Sequence, residues 1–142
     1  MNSRTSNVAG WIILTLMLCQ FVPLCRVNQP SQSSGAVPLP VYRVLESRCG
    51  QCHSNDIRWP RSAFIAPLSW YVVHEVQKAR QAFNYSEPSF ASGNVGLRGK
   101  NMIRALVESG RASGHASIPG FEKPELTDAE RKLLLEWSAV RD

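Results

Sequence analysis

The sequence predicts an all-α fold, with one helical domain preceded by a single N-terminal transmembrane helix. Three observations support this prediction. Apolar residues recur every three or four positions along several segments, as they do on one face of a helix. Strand patterns are nearly absent, and Thr127 with Glu130 forms the signature of a helix capping box. The length of 142 residues suits one domain with a tail or an anchor.

The N-terminal segment is apolar and carries no charge. Residues 8–25 read VAGWIILTLMLCQFVPLC, with Trp11 near one end and Arg4 and Arg26 on either side. A helix of this length would span about 27 Å, close to the hydrocarbon thickness of a bilayer. We therefore predict a short cytoplasmic N-terminus at residues 1–7 and an anchor at residues 8–25. A cleaved signal peptide is the alternative, although no small-x-small cleavage site follows closely.

A linker is predicted between the anchor and the folded domain. Residues 26–40 read RVNQPSQSSGAVPLP and contain three prolines, a Ser/Gln cluster and a glycine, which leaves little capacity to form a core. The domain then covers residues 41–142. Its first helix is indicated by Val41, Leu45 and Cys49, which share one face at positions i, i+4 and i+8.

The central helix is predicted to begin near Pro67 or Ser69 and to end at about Phe83. Proline suits the first turn because its missing N–H would have no helical partner there. Trp70 and His74 form an i, i+4 pair on the face opposite the apolar stripe. The four residues of that stripe are Val72, Val76, Ala79 and Phe83.

The C-terminal half is predicted to contain two more helices separated by irregular chain. Residues 84–99 are rich in turn residues and predict a loop, and a helix over residues 100–109 is ended by Gly110. Residues 111–124 are again predicted to be irregular. The last helix follows Thr127 as its N-cap, and its predicted apolar stripe consists of Ala129, Leu133, Trp137 and Val140.

The pentapeptide CGQCH at residues 49–53 is the main chemical motif. Two cysteines two residues apart, followed directly by histidine, are typical of a site that attaches a c-type haem. Cys49 and Cys52 would each form a thioether with a haem vinyl group, and His53 would be the proximal iron ligand. The predicted cofactor is therefore one covalently bound haem c. Trp59, shortly after the motif, would either pack on the haem edge or fill the core.

A redox dithiol and a structural zinc site are the alternative roles of this motif. A dithiol of this spacing is expected beside a βαβ pattern, which the sequence does not show. Zinc would need further ligands, and Cys19 and Cys25 are badly placed in or beside the apolar N-terminal run. His74 and His115 could contribute only through long-range folding. Covalent haem is therefore favoured.

The arrangement resembles a class I c-type cytochrome and, more closely, the small bacterial haem-binding domain family, whose members are often membrane anchored. This resemblance implies a cytochrome c-like monohaem fold. It covers nearly the whole chain from the predicted anchor onward. The matching segments are CGQCHSND at 49–56, RWP at 58–60, IAPLSW at 65–70, HEV at 74–76, FNYSE at 83–87 and QFVPLCRVNQP at 20–30.

The resemblance also implies a Met-Pro pair before the last helix, with methionine as the second axial ligand of the iron. This chain has Ile118-Pro119 at the corresponding place, and isoleucine has no donor atom. Three residues are candidate distal ligands, ranked His115, then His74, then Met102, and a vacant or water-filled position remains open. Met102 is otherwise expected to be a core residue.

The predicted function is one-electron transfer by a membrane-tethered monohaem cytochrome, as a carrier or as a subunit of a redox complex, with no enzymatic activity of its own. Haem attachment and the anchor together predict a single-pass protein of the bacterial cytoplasmic membrane, with the haem domain in the periplasm. Redox proteins are the expected partners. The alternatives are a haem-based sensor of small ligands with an open distal position, and a structural subunit of a larger membrane complex.

The net charge of +5 does not indicate nucleic-acid binding, because basic and aromatic residues are not interleaved. Arginines account for most of the basic residues and are spread along the chain. A few of them are candidates for pairing with the haem propionates, since the guanidinium group matches carboxylate geometry.

Overall fold

The computed structural model describes residues 3–30, 37–91, 93–111, 118–122 and 125–140, and all regular secondary structure in these ranges is helical. A π-helical turn at Leu45–Cys49 joins the second and third helices into one helical segment, and 3₁₀ turns lie at Arg61–Phe64 and Pro88–Ala91. The α-helices are α1 Ser3–Cys19, α2 Leu39–Val44, α3 Gly50–His53, α4 Leu68–Ala82, α5 Gly93–Glu108 and α6 Asp128–Ala139.

The membrane part of the predicted fold class is wrong. The helix that contains the apolar run is α1, which has 17 residues and ends at Cys19. Pro23 disfavours helical backbone at the residue before it, so the last third of residues 8–25 lies outside the helix. Within the described residues, no helix combines the length and apolar character needed to cross a bilayer. The predicted single-pass location, with a periplasmic haem domain, depended on this anchor and is corrected with it.

The chain that follows α1 is bound to the helical body through side-chain contacts. Gln20 accepts a hydrogen bond from the backbone N–H of Ala66 at 3.1 Å and donates to its carbonyl at 3.2 Å. Arg26 donates through Nη1 to the carbonyl of Ala63 at 2.9 Å. Residues 20–26, predicted as the end of the anchor and the start of the linker, therefore lie against the loop between α3 and α4.

Most of the buried apolar residues form one group, here called the main cluster. It brings together α2, α5 and α6, and the chain after α4. Its buried members are Val37, Val41, Val44, Leu45, Phe83, Tyr85, Phe90, Ile103, Val107 and Leu134. A second group, the small cluster, consists of buried Ala63, Val72 and Ile118, with Cys52, Trp59 and Phe121 packed against it.

The central helix and the capping box are found as predicted. Helix α4 begins after Pro67 and ends at Ala82. At the start of α6, the backbone N–H of Thr127 donates to Glu130 Oε2 at 2.8 Å. The backbone N–H of Glu130 donates to Thr127 Oγ1 at 3.3 Å, which completes the reciprocal pair. Gly110 follows α5 with a φ of +68°, the left-handed conformation expected just after a helix.

Two details of the C-terminal half differ from the prediction. Helix α5 begins at Gly93 and not near residue 100, because the segment packs against the turn that contains Phe90. In α6 the buried residues are Leu134 and Ser138, whereas Ala129 and Val140 of the predicted stripe are exposed.

Candidate functional site

The CGQCH motif occupies the end of the helical segment that begins with α2. Leu45 at the start of the π-helical turn is fully buried in the main cluster and fixes this segment to the core. Single π-helical turns inside helices are frequent at functional sites. At Gly50 the hydroxyl of Tyr85 approaches closely, since a Cβ on Gly50 would lie 2.8 Å from that oxygen. The motif is thus held on both sides by buried contacts.

The two cysteines of the motif face different apolar clusters. Cys49 packs against the main cluster and Cys52 against the small cluster, and both are free thiols. Burial raises the pKa of Cys49 to about 12, with a further contribution from the charge of Cys52, and burial raises the pKa of Cys52 to about 11. Both thiols are therefore protonated at neutral pH.

This protonation weakens the dithiol alternative, because redox-active cysteines have thiols with a lowered pKa. The zinc alternative also finds no support in the part of the chain that the structure describes. No three His, Cys, Asp or Glu side chains are grouped there in a way that could hold a metal ion.

The imidazole of His53 is buried and oriented by the chain after α4. Its Nδ1 lies 3.0 Å from the carbonyl oxygen of Phe83, and its ring stacks on that of Phe83 with centroids 3.8 Å apart. The backbone N–H of Tyr85 donates to the His53 carbonyl at 3.1 Å. With its proton on Nδ1, His53 would donate to Phe83 and carry the lone pair on Nε2. Metal-binding histidines usually show this arrangement.

A buried polar network joins the residues after the motif to the residues after α4. Asn84 donates through Nδ2 to Asn55 Oδ1 at 2.7 Å, and the backbone N–H of Asn55 donates to Ser86 Oγ at 3.0 Å. The backbone N–H of Ser86 donates in turn to Asn84 Oδ1 at 3.1 Å. Two sequence segments that carried the resemblance, SND at 54–56 and FNYSE at 83–87, are therefore joined by hydrogen bonds into one structural unit next to His53. Sequence reasoning did not predict this pairing, and the shared resemblance was its only signal.

Ile118 lies in the small cluster, beside residues that follow the motif. Residues 118–121 form a type II turn, in which the backbone N–H of Phe121 donates to the Ile118 carbonyl at 3.1 Å. Pro119 holds the first corner and Gly120, with a φ of +90°, holds the second. Ile118 is 7% exposed and packs in the same cluster as Cys52.

The three candidate distal ligands have different surroundings. His74 is exposed on α4, and Met102 is partly buried against the main cluster, as expected for a core methionine. His115 lies outside the described residues. The choice of distal ligand stays a prediction.

Trp59 carries an unpaired polar atom. Its ring packs against the small cluster, and its Nε1 is buried without a hydrogen-bond partner. Among the described residues this is the single buried side-chain nitrogen or oxygen in that condition. An unpaired buried donor is costly, and in native proteins such atoms generally have a partner.

A cavity of about 510 Å³ lies against the other side of α3. Gly50, Gln51 and Ser54 line it, whereas Cys49, Cys52 and His53 do not. Its wall is largely polar and includes Glu46, Asp56, Arg58 and Glu122. The chemistry-bearing side chains of the motif are therefore directed to the apolar clusters and not to this polar cavity.

These observations fit a haem. Two unbridged thiols pack against apolar clusters, the imidazole that follows them in the sequence is held through Nδ1, and a buried N–H in the small cluster lacks an acceptor. A haem has an apolar ring that suits the surroundings of the thiols, an iron that suits the imidazole, and carboxylates that suit the buried N–H. A group with only one of these properties would leave the others unexplained.

The fold and the site thus define a helical protein whose CGQCH motif has surroundings that fit a haem. A family model described as haem-binding domain matches residues 14–140, and the chain belongs to that family. No curated protein and no solved structure matches the chain significantly. The family match supports haem as the predicted cofactor, whereas its covalent attachment as haem c stays a prediction. The match includes residues 20–26, in agreement with their contacts to the helical body.

Proposed function

We propose that the chain is a monohaem c-type cytochrome that transfers single electrons. In this proposal Cys49 and Cys52 hold the haem covalently and His53 Nε2 binds its iron. The observation that carries the proposal is the geometry of His53, which directly follows the two half-buried thiols of the CGQCH motif in the sequence and whose Nδ1 lies 3.0 Å from the Phe83 carbonyl. Membership of the haem-binding domain family supports the cofactor.

Attachment requires thiols that are not joined in a disulfide, and both cysteines of the motif are free. Each S–H would add across one vinyl double bond. The sulfur would bond to the carbon next to the ring and the hydrogen to the terminal carbon, so that no oxidant or reductant would be consumed. The two thiols face different clusters, which suits attachment to two separate vinyl groups.

The iron supplies one-electron chemistry when the haem is bound. The chain's own residues set the conditions for it. With its proton on Nδ1, His53 would donate to the Phe83 carbonyl, and this bond would make the imidazole a stronger electron donor. The apolar clusters exclude water, and a low-dielectric environment disfavours the extra positive charge of ferric iron. Both effects act on the reduction potential, in opposite directions.

We further propose a redox protein, or a larger redox complex, as the partner. The chain has a net charge of +5, and Arg58 and Arg61 beside the site are exposed. A basic surface of this kind favours an acidic partner and speeds its association at low salt. The rate of reduction by such a partner should therefore fall as the ionic strength rises, and a rate independent of salt would contradict electrostatic docking.

A second candidate function, binding of a small ligand at the iron, is favoured by Ile118. The residue at the expected methionine position has no donor atom and is buried beside Cys52 in the small cluster. If no other residue takes that position, an external ligand can bind there.

The test is to co-express the chain with the machinery for haem c maturation and to stain a denaturing gel for haem. Reduced spectra with and without carbon monoxide are recorded on the same sample. We expect haem that stays on the chain and a low-spin ferrous spectrum that carbon monoxide leaves unchanged. A high-spin spectrum that shifts with carbon monoxide would favour ligand binding, and absence of covalent haem would overturn the cytochrome proposal.

The matched control uses the other two cysteines. The double variant Cys49→Ala/Cys52→Ala should lose all covalent haem. The double variant Cys19→Ala/Cys25→Ala removes the same number of thiols away from the motif and should keep it. Equal loss in both variants would contradict a specific role of the motif.

A further inference from the structure

The buried side-chain amides of Asn55 and Asn84 are bonded to each other beside the histidine of the CGQCH motif. We propose that these two asparagines are positioning residues, which hold the Phe83 carbonyl against His53 Nδ1 and thereby set how strongly the imidazole donates electrons to the haem iron. This inference rests on the proposed function, because it requires His53 to bind the iron. The family match assigns no role to either asparagine.

The Phe83 carbonyl lies just beyond the end of α4, where helical hydrogen bonding no longer fixes its direction. Helix α4 ends at Ala82, and Phe83 has extended backbone with a φ of −160° and a ψ of 150°. Its N–H still donates to the Ala79 carbonyl at 3.2 Å, whereas its own carbonyl oxygen lies 3.0 Å from His53 Nδ1. The last carbonyls of a helix need partners outside the helix. Contacts beyond α4 must therefore aim this carbonyl at the imidazole.

The side chain of Asn84 supplies such contacts. The Phe83 carbonyl and the Asn84 N–H belong to one planar peptide unit, so restraining Asn84 also restrains the carbonyl. Asn84 Oδ1 accepts from the backbone N–H of Ser86 at 3.1 Å, and because that N–H can only donate, the orientation of the amide is defined. Its Nδ2 donates to Asn55 Oδ1 at 2.7 Å and, at 3.4 Å, to Glu87 Oε1. Both ends of the Asn84 amide are therefore held.

The same hydrogen bonds restrain the backbone that carries His53. The N–H of Tyr85 donates to the His53 carbonyl at 3.1 Å, and the N–H of Asn55 donates to Ser86 Oγ at 3.0 Å. Residues 53–55 are thus bonded to residues 84–86 at two backbone positions, and the asparagine pair adds a third bond. The donor and the acceptor of the contact between His53 and the carbonyl therefore lie on two segments that are fixed to each other.

Packing alone does not account for two amides in this place. Asn55 is 4% exposed and Asn84 is 8% exposed, so both amides have lost most of their contact with water. A pair of apolar side chains of the same shape would fill the space without that desolvation cost. Hydrogen bonds, unlike apolar contacts, fix a direction. A directional restraint is useful where a carbonyl has to stay aligned with the ring nitrogen of a metal-binding histidine.

The strength of this contact acts on the iron through the imidazole ring. A carbonyl oxygen can only accept, so a hydrogen bond to Phe83 places the proton on His53 Nδ1. A well-aligned bond draws that proton toward the carbonyl and raises the basicity of the nitrogen on the other side of the ring. A more basic ligand stabilises ferric iron more than ferrous iron, because ferric iron has the larger charge. Loosening the carbonyl should therefore raise the reduction potential.

The principal experiment uses Asn55→Leu, which keeps the shape of the side chain and removes the acceptor for Asn84. We expect covalent haem to be retained on a denaturing gel. At the wild-type midpoint potential, where ferric and ferrous haem are equal, the ferric-to-ferrous ratio of the variant should fall to about one third, since the His53 bond is weakened and not lost. Asn101→Leu, at an exposed asparagine on α5, is the matched control. Thr127→Ala, which weakens the cap of α6, is the control for lowered stability. Neither control should change the ratio.

A second measurement reports the hydrogen bonds themselves. In ferrous protein labelled with ¹⁵N, the His53 Nδ1–H signal should lie downfield and exchange slowly with solvent, and in Asn55→Leu it should move upfield and exchange faster. A comparison within the wild type does not depend on how well a variant folds. The side-chain amide protons of Asn84 should exchange much more slowly than those of the exposed Asn101. Equal exchange rates of the two amides would contradict the asparagine contact and overturn the proposal.

The outcomes separate this inference from the proposed function. Absence of covalent haem in the wild type would overturn the proposed function itself. Retained haem with an unchanged ferric-to-ferrous ratio in Asn55→Leu would overturn the positioning role alone, whether or not the His53 signal moves. A lowered ratio with an unchanged His53 signal would show that the substitution acts on the haem by another route, which also overturns it. An equal fall of the ratio in Thr127→Ala would attribute the effect to stability and would overturn it as well.

Discussion

The main cluster and the small cluster differ in how complete they are. The main cluster contains ten buried residues in the described chain, and it packs α2 against α6 and α6 against α5. The small cluster contains three, and it is bordered by the unpaired Nε1 of Trp59. One thiol of the motif faces each cluster. This difference indicates that the main cluster can stabilise the helices by itself, whereas the small cluster is the part that a bound haem would complete.

The largest expected effect comes from shortening one buried side chain in each cluster to alanine. Leu45 and Val72 are both fully buried, at 0% exposure. Leu45→Ala should lower the free energy of unfolding by about 2–5 kcal/mol, with or without haem, because the main cluster is already packed. Val72→Ala should lower the free energy of unfolding by a smaller amount without haem and by a larger amount with haem. The reason is that the cofactor would add contacts around the small cluster. Guanidinium unfolding of both forms measures the difference.

Leu97→Ala is the control, since Leu97 is a half-exposed leucine on α5 and its truncation should have little effect. An equal cost of Val72→Ala in the two forms would break the comparison, because it would show that haem adds nothing to the small cluster. Haem-dependent loss in Leu45→Ala would contradict the idea that the main cluster is complete.

Substituting one glycine of each region by alanine sharpens the comparison, because it adds a methyl group there. A Cβ on Gly99 would lie 2.6 Å from Cε2 of Phe90 in the main cluster, and one on Gly120 would lie 2.6 Å from Cβ of Pro60. Overpacking of this kind costs about 1–3 kcal/mol, and at Gly120, whose φ is +90°, any side chain also strains the backbone. Gly99→Ala should lower stability and leave the haem spectrum unchanged, whereas Gly120→Ala should also change the spectrum, because it displaces the turn that carries Ile118.

Gly10→Ala is the control for Gly99→Ala, since nothing lies within 4 Å of a Cβ at that position. Gly110→Ala is the control for Gly120→Ala, because Gly110 has a φ of +68° and also has nothing within 4 Å of a Cβ. Thermal unfolding and the reduced spectrum are compared for the four variants. An altered spectrum in Gly99→Ala alone would place the haem contacts at the main cluster and would contradict the assignment made here.

Local signals in the sequence were sufficient for some parts of the fold. Pro67 and the Thr127–Glu130 box define the starts of α4 and α6, and Gly110 marks the end of α5, because each of these residues acts on its own backbone. The CGQCH motif was readable for the same reason, since its spacing alone carries the chemistry.

The remaining features depend on contacts between distant residues. The first turns of α5 contain glycines that predict a loop, and they are helical because the segment packs on Phe90. The anchor was predicted from the length of an apolar run, although Pro23 limits the helix within it. The hydrogen bond from Asn84 to Asn55 and the missing partner of Trp59 can be recognised only in three dimensions.

A smaller effect is expected at the cap of α6, which supplies Leu134 to the main cluster. Thr127→Ala removes the hydroxyl that accepts from the backbone N–H of Glu130. It should lower the free energy of unfolding by about 1 kcal/mol in urea titrations. Thr127→Ser keeps the hydroxyl and should restore most of the loss. Equal losses in the two variants would indicate that the methyl group, and not the cap, is responsible.

The smallest effect concerns the pH dependence that Glu130, in the cap of α6, gives to the stability of the fold. The backbone N–H of Thr127 donates a hydrogen bond to the Glu130 carboxylate and lowers its pKa from the ordinary value of 4.5. Arg48, on the helical segment that carries the CGQCH motif, donates a further hydrogen bond at 3.0 Å, which also lowers this pKa. A group whose pKa is lower in the folded state than in the unfolded state stabilises the fold above the unfolded value. That contribution is lost as the pH falls through the folded value.

Urea unfolding of the wild type and of Glu130→Gln at pH 7 and at pH 3 tests this linkage. Glutamine cannot ionise, so the variant should be less stable than the wild type at pH 7, and the difference should shrink at pH 3, where the wild-type carboxyl is increasingly protonated. Glu136→Gln is the control, because Glu136 is exposed on the same helix and its contact with Lys132 spans 3.9 Å. Because Arg48 joins α6 to the segment that carries Cys49, a pH-independent difference between wild type and Glu130→Gln would mean that the capping geometry, and not the charge, links the last helix to the motif.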